Sequence, residues 1–221
     1  MTKEHVVREA LVVGFDLDMT LVDSAQGISE ALVAVCKKHN VEIRLEDALA
    51  TIGLPLDQVF PLWLPDLAYE QLLDEYRDHY GQYGIPKSVP LPGAVDALAA
   101  VRALGGRTVV VSAKKADFVQ RVLDVTGLEV DMVYGYLFAE HKGEVLLKEG
   151  AQVYVGDHVG DIAAARVANA IAVAVPTGPT SEAALREAGA DVILEDLTQF
   201  ASWLHSMEAL VAGRKHHVSS E

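Results

Sequence analysis

Two pairs of aspartates, Asp16 with Asp18 and Asp157 with Asp161, carry the clearest chemistry in this chain of 221 residues. Asp16 and Asp18 stand one residue apart at the end of the apolar run Leu11-Val12-Val13-Gly14-Phe15. Two carboxylates so placed repel each other unless a shared proton or a cation relieves them. A divalent ion is the fitting relief, because Mg²⁺ takes oxygen ligands and is held by one or two carboxylates together with substrate phosphate. Asp157 follows Gly156 at the end of a second apolar run, Val153-Tyr154-Val155, and Asp161 lies about one helical turn further on. Ser112 closes a third run, Thr108-Val109-Val110-Val111. Any one of these taken alone reads equally well as a turn residue or, for Asp161, as an acid favoured by a helix N-terminus.

The elements that must present these groups are buried strands. The run from Leu11 to Phe15 has no polar alternation, as expected of a parallel strand covered on both faces, and ligands of such sheets collect beyond the carboxyl ends. Further strands are expected around Asp131 to Tyr134, Ala170 to Val175 and Asp191 to Leu194. Between them, helical patterns carry Val95, Leu98, Val101 and Leu104 up to Gly105-Gly106. Others run from about Ala116 to Thr126, ending at Gly127, and from Ser181 to Ala188 and Leu197 to Val211, with a short helix opening at His141-Lys142-Gly143-Glu144. This alternation predicts an α/β fold with a three-layer, Rossmann-like parallel sheet core. After Asp23, Ser24 is a candidate helix N-cap, and Ile28, Leu32, Val35 and His39 share one helix face. From there to Pro86 the chain reads as helices broken at Gly53-Leu54-Pro55, Leu64-Pro65-Asp66 and Gly84-Ile85-Pro86, with no strand. The expected organisation is a core of residues 1–24 and 89–212, a small helical cap of residues 25–88 inserted after the first strand, and a polar, disordered tail, 213–221.

The stretch Asp16-Leu17-Asp18-Met19-Thr20-Leu21-Val22-Asp23-Ser24 resembles the first motif of the haloacid dehalogenase superfamily, whose phosphatases usually read DxDGT followed by LVDS. Gly156-Asp157-His158-Val159-Gly160-Asp161 resembles that family's GDxxxD motif, and the elements stand in the family's order along the chain. The resemblance implies that Asp16 is a nucleophile that becomes an aspartyl phosphate. Asp18 then protonates the leaving oxygen and activates the hydrolytic water, with Thr20 in support. It implies a Mg²⁺ site made by Asp16, Asp157 and the backbone carbonyl of Asp18, with Gly156 allowing close approach. Asp161 would bind through water or hold a lysine in place. That lysine is Lys142, with Lys148 as the fallback, and it neutralises the nucleophile and the phosphoryl oxygens. Ser112 would donate to the transferring phosphoryl group, while Ala113 replaces the usual Asn or Ser and leaves backbone amides to orient it. Met19 replaces the usual Gly. Lys114 and Lys115 are expected as a solvated helix start, and His158 as a side chain reaching solvent or the cap without chemistry.

The placement of the cap, together with Ile52-Gly53-Leu54-Pro55-Leu56, resembles the phosphoglycolate phosphatase-like branch, which implies a small phosphorylated metabolite as substrate. A phosphomutase would keep the same core motifs. A phosphonate hydrolase would need a cap lysine, for which Lys37, Lys38 and Lys87 are available, and a dehalogenase would lack the second acid, Asp18. A catalytically weak phosphometabolite-binding module is the reading from another class. The cap carries Trp63, Tyr69, Tyr76, Tyr80 and Tyr83, expected mostly as helix packing, and few cations, among them Arg44 and Arg77. A formal net charge of −14 argues against nucleic acid as a partner. No stretch is long and apolar enough to span a bilayer or to serve as a signal peptide, so a cytoplasmic protein is expected; the oligomeric state is not legible. The single cysteine, Cys36, is expected to be buried, and His216-His217 is too sparse for a metal site.

Overall fold

The computed structural model of the chain describes residues 10–207. The segment 1–9, the end of the expected last helix, the tail 213–221 and His216-His217 lie outside the described residues. Strand β1 (Val12–Phe15) is followed by β2 (Val22–Asp23) and then by helices α1 (Ala25–Lys38), α2 (Leu45–Leu49), α3 (Leu56–Val59) and α4 (Tyr69–His79). A single π-helical turn, Tyr80–Gly84, extends α4, and the chain returns through β3 (Val89–Pro90). It then alternates α5 (Ala94–Ala103), β4 (Arg107–Val111), α6 (Ala116–Thr126), β5 (Met132–Tyr134), α7 (Glu140–Glu149) and β6 (Val153–Gly156). Next come α8 (Val159–Val167), β7 (Ile171–Ala174), α9 (Glu182–Glu187) and β8 (Val192–Ile193), and a 3₁₀ turn, Leu197–Gln199, leads into helical residues 200–207.

Six strands form one parallel sheet in the order β5-β4-β1-β6-β7-β8. Valines dominate it because β-branched side chains fit a pleated surface packed on both sides. Val13, Phe15, Val110 and Val155 turn to one face, where they meet Leu98 and Val101 of α5, Val119 and Val122 of α6, and Phe200. Val12, Val109, Val111 and Tyr154 turn to the other, against Leu146 of α7 and Ile162 and Ala165 of α8. The three-layer α/β expectation therefore holds. The strand order reverses at β1, which has β4 on one side and β6 on the other, and a crevice opens at the carboxyl ends at such a point. Phe15 pairs with Val110 and with Val155, so Asp16, Ser112 and Asp157 all lie one or two residues beyond that shared register.

Between β2 and β3 every regular element is helical. The sequence did not announce that these two strands pair with each other, antiparallel, with Val22 opposite Pro90 and Asp23 opposite Val89. Two-residue strands, one containing proline, carry almost no periodic signal. The helices of this segment share one apolar cluster with the sheet face beneath them, including Leu32, Val35, Cys36, Tyr76 and Tyr80. Glu75 of α4 ties them together by contacting Lys38 at 3.0 Å and His39 at 2.7 Å. Among the described residues no helix is long and apolar enough to cross a membrane.

Candidate active site

Asp16 leaves the carboxyl end of β1 buried, and Lys142 of α7 reaches it from the neighbouring layer. The Lys142 ammonium donates to Asp16 Oδ1 at 2.9 Å and to Asp161 Oδ1 at 2.7 Å. Asp161 Oδ2 in turn accepts the backbone N–H of His158 at 3.0 Å, as one half of a capping box at the start of α8. Asp161 therefore props Lys142, the second of the two roles the sequence left open for it. Its carboxylate can enter the site only because residue 156 is glycine: a Cβ there would lie 2.3 Å from the Asp161 carboxyl. Lys148, the fallback, is exposed on α7 and outside the site. Burial alone would lower the Lys142 pKa, but Asp16 and Asp161 hold it well above the ordinary lysine value, so the ammonium stays charged.

Asp157 follows β6 and is buried. Thr20 Oγ1 donates to its Oδ1 at 3.0 Å, while Oδ2 has no hydrogen-bond partner among the described residues. Gly178 leaves the space this oxygen occupies, since a Cβ at that position would lie 1.8 Å from Oδ2. Asp16, Asp157 and Asp161 each offer an oxygen within 4.8 Å of the others. Burial, opposed by Lys142 and reinforced by Asp161, pushes the Asp16 pKa up to about 7. Burial and the proximity of Asp16 and Asp161 raise Asp157 as well. Three buried carboxylates with one ammonium and an orphaned oxygen are short of positive charge, and this donor set fits a divalent metal ion. Asp161 already spends both oxygens on protein donors, which leaves Asp16 and Asp157 as the side chains best able to hold it.

Asp18 lies two residues on, with Oδ1 accepting from Ser24 Oγ at 2.5 Å and from Lys114 Nζ at 2.8 Å. Ser24 holds the N-cap position of α1, as expected, but makes no side-chain cap; Asp23 Oδ1 accepts the Ala25 N–H instead, at 3.1 Å. The second donor corrects a sequence expectation. Lys114 is not solvated: its side chain is 7% exposed, donates to Tyr80 OH at 2.8 Å and sits 4.3 Å from that ring's centroid. Burial would lower its pKa, but Asp18 and Tyr80 raise it and keep it charged. The sequence reading failed because both partners are remote along the chain. Lys115 does stay half-exposed, 2.9 Å from Asp117. Met19 occupies the left-handed region at φ +61°, a conformation that glycine adopts without steric cost.

A cavity of about 260 Å³ opens above these groups. Its floor holds Asp16, Asp18, Ser112, Ala113, Lys114, Lys142 and Asp161. Ser112 is buried, and its Oγ accepts the Lys114 N–H at 3.2 Å. The roof comes from α1, the turn 51–56, α3 and α4, including Tyr69, Tyr76 and Tyr80, whereas Trp63 and Tyr83 stay outside. His158 reaches the cavity edge, against Phe138 and Gly53. Tyr136, Leu137 and Phe138, which follow β5, also line the cavity and carry no motif by which the sequence would have singled them out.

The model of the haloacid dehalogenase-like hydrolase family matches residues 13–175. The chain is similar to a probable phosphatase, IndB, of Dickeya dadantii, being 26% identical over 213 residues that cover 87% of this chain and 93% of the relative. It is 30% identical to a phosphoglycolate phosphatase of Aquifex aeolicus over 127 residues, covering 56% and 60% of the two chains. Among solved structures, a haloacid dehalogenase-like hydrolase from Streptococcus pneumoniae aligns with a TM-score of 0.80 at 22% identity, over 88% of this chain and 98% of that one. At that identity the likeness speaks for the fold.

Proposed function

This chain belongs to the haloacid dehalogenase-like hydrolase family, and from that premise we propose a Mg²⁺-dependent phosphatase of small phosphorylated metabolites acting through an aspartyl phosphate on Asp16. It is a phosphoric monoester hydrolase, as its relatives' names imply. One observation carries the finer reading: Asp16 is buried on the cavity floor, gripped by Lys142 and beside the unpartnered oxygen of Asp157. A binding module has no use for a desolvated carboxylate in contact with its own counter-ion beside a second acid.

In this reading a carboxylate oxygen of Asp16 attacks phosphorus as the bond to the leaving oxygen breaks, and Asp18 gives that oxygen its proton. Asp18, now ionised, takes a proton from water, whose oxygen displaces Asp16 from phosphorus and releases phosphate. Lys142 spreads charge on the phosphoryl oxygens, and Ser112 and the amides around Ala113 orient them. Lys114 and Ser24 both hold Oδ1 of Asp18, which leaves Oδ2 free to face the leaving group. A divalent ion held by Asp16, Asp157 and the Asp18 carbonyl supplies further charge neutralisation when bound. Residues 25–88 serve as the cap that closes over the leaving group.

Phosphate release from sugar phosphates, nucleoside monophosphates and phosphoglycolate, with Mg²⁺ or with EDTA, tests this on the wild type and Asp16→Asn. The expected result is metal-dependent turnover that falls by about 10³-fold or more in the variant. Turnover that survives in Asp16→Asn refutes the covalent mechanism.

A further inference from the structure

Among the described residues four cations line the cavity, three of them paired with acids and the fourth with a neutral phenol. Lys142 lies between Asp16 and Asp161, Lys114 meets Asp18 at 2.8 Å, and Lys115 meets Asp117 at 2.9 Å. Arg77 donates to the phenol oxygen of Tyr136 at 2.6 Å and lies over that ring. His158 Nδ1 accepts the Gly160 N–H, so it carries no proton and the imidazole is neutral.

The roof is largely apolar. Ile28, Leu32, Leu54, Leu56, Leu73 and Tyr76 form it, and Arg77 and Asp57 are its formal charges among the described residues. A carboxylate or second phosphoryl group pressed against this surface would lose its water and could gain a cation only by drawing Arg77 away from Tyr136. A hydrocarbon group would gain burial there. Size is compatible with this: a cavity of about 150 Å³ accommodates benzene, so 260 Å³ admits a phosphoryl group with one ring.

We propose that the substrate's leaving group is neutral and apolar, an aryl-bearing or branched alkyl alcohol of about one ring in size. The chain then prefers hydrophobic phosphate monoesters to acidic ones such as phosphoglycolate. The proposal rests on the phosphatase reading of the same site.

Benzyl phosphate and phosphoglycolate provide the test, because they share the same phosphate–oxygen–methylene unit and differ in carrying a phenyl ring or a carboxylate. The expected kcat/KM ratio favours benzyl phosphate by tenfold or more, and Leu56→Arg, which adds a cation to the roof, shrinks that ratio at least tenfold. Calorimetry on the wild type with the non-hydrolysable pair benzylphosphonate and phosphonoacetate reads the same preference as affinity. Equal or better hydrolysis of phosphoglycolate overturns the inference and leaves the phosphatase reading standing. Absence of hydrolysis with tighter binding of benzylphosphonate overturns the phosphatase reading and leaves the apolar subsite standing. If neither ester is hydrolysed and benzylphosphonate binds no better than phosphonoacetate, both fall.

Discussion

Replacing Lys142 by methionine removes the ammonium that pairs with Asp16 and Asp161 while nearly preserving side-chain length. Lys142 contacts Asp16 at 2.9 Å and Asp161 at 2.7 Å and is 4% exposed, so the change leaves buried carboxylates without their counter-ion. Breaking a buried pair from one side costs about 3–5 kcal/mol. For a chain of this size that lowers the melting temperature by about 6–20 °C. The loss must depend on pH. Lys142 lowers the Asp16 pKa, so without it that pKa climbs further above the value of about 7 it already has in the wild type. An acid whose folded pKa is raised stabilises the fold below its unfolded pKa, and the contribution disappears as pH rises through the folded value. In metal-free protein followed by urea unfolding, the variant's deficit is therefore largest near pH 8.5 and about half as large or less near pH 5, where Asp16 carries a proton. Lys115→Met, at a half-exposed ion pair, serves as the control and changes stability by no more than about 0.5 kcal/mol. Equal deficits for Lys142→Met at the two pH values, or one below about 1 kcal/mol at the higher, would refute the electrostatic account.

Metal-free wild type loses stability as pH rises from about 4 toward 7, because Asp16 and Asp157 have raised pKa values. Mg²⁺ added at pH 7.5 raises the melting temperature, and Asp157→Asn abolishes that rise; melting curves indifferent to Mg²⁺ would count against the metal site. Lys114→Met lowers kcat by about tenfold or more and changes KM little, since the lost contact is to the proton-transfer group; a change confined to KM in steady-state kinetics would show that Lys114 grips substrate instead. Met19→Gly removes a left-handed strain of about 1–2 kcal/mol and adds about 0.4–1 kcal/mol of unfolded-chain entropy. A small rise in the urea midpoint is expected, and a fall would mean that the Met19 side chain contributes packing of greater value.

The sheet was legible because its strands are short, unbroken apolar runs, and the site because its acids follow those runs directly. Asp16, Asp157 and Asp161 meet because register and strand order bring the ends of β1 and β6 together, which follows from pattern alone once the fold is recognised. What escaped reading depends on contacts between distant residues. Lys114 reads as surface until Asp18 and Tyr80 are seen around it, and Ser24, at the N-cap of α1 as read, gives no sign in the sequence that its hydroxyl is spent on Asp18. Gly178 looks like an ordinary loop glycine, yet it gives Asp157 Oδ2 its room. The pairing of β2 with β3 rests on two residues from each side, too few for any periodicity to show.

That ribbon bears on how such a protein can change over generations. Because Val22–Asp23 and Val89–Pro90 lie side by side, the intervening stretch begins and ends at this one two-stranded ribbon. Lengthening, shortening or exchanging that stretch leaves the ends to be joined where they already are, so the closure entropy changes only slowly with its length. The aspartates and Lys142 lie outside the loop thus formed, whereas the roof residues from Ile28 to Tyr80 belong to it. The reacting aspartates and most of the roof are thereby encoded in separable tracts of the gene, and the roof can be rewritten while the aspartates and Lys142 stay in place.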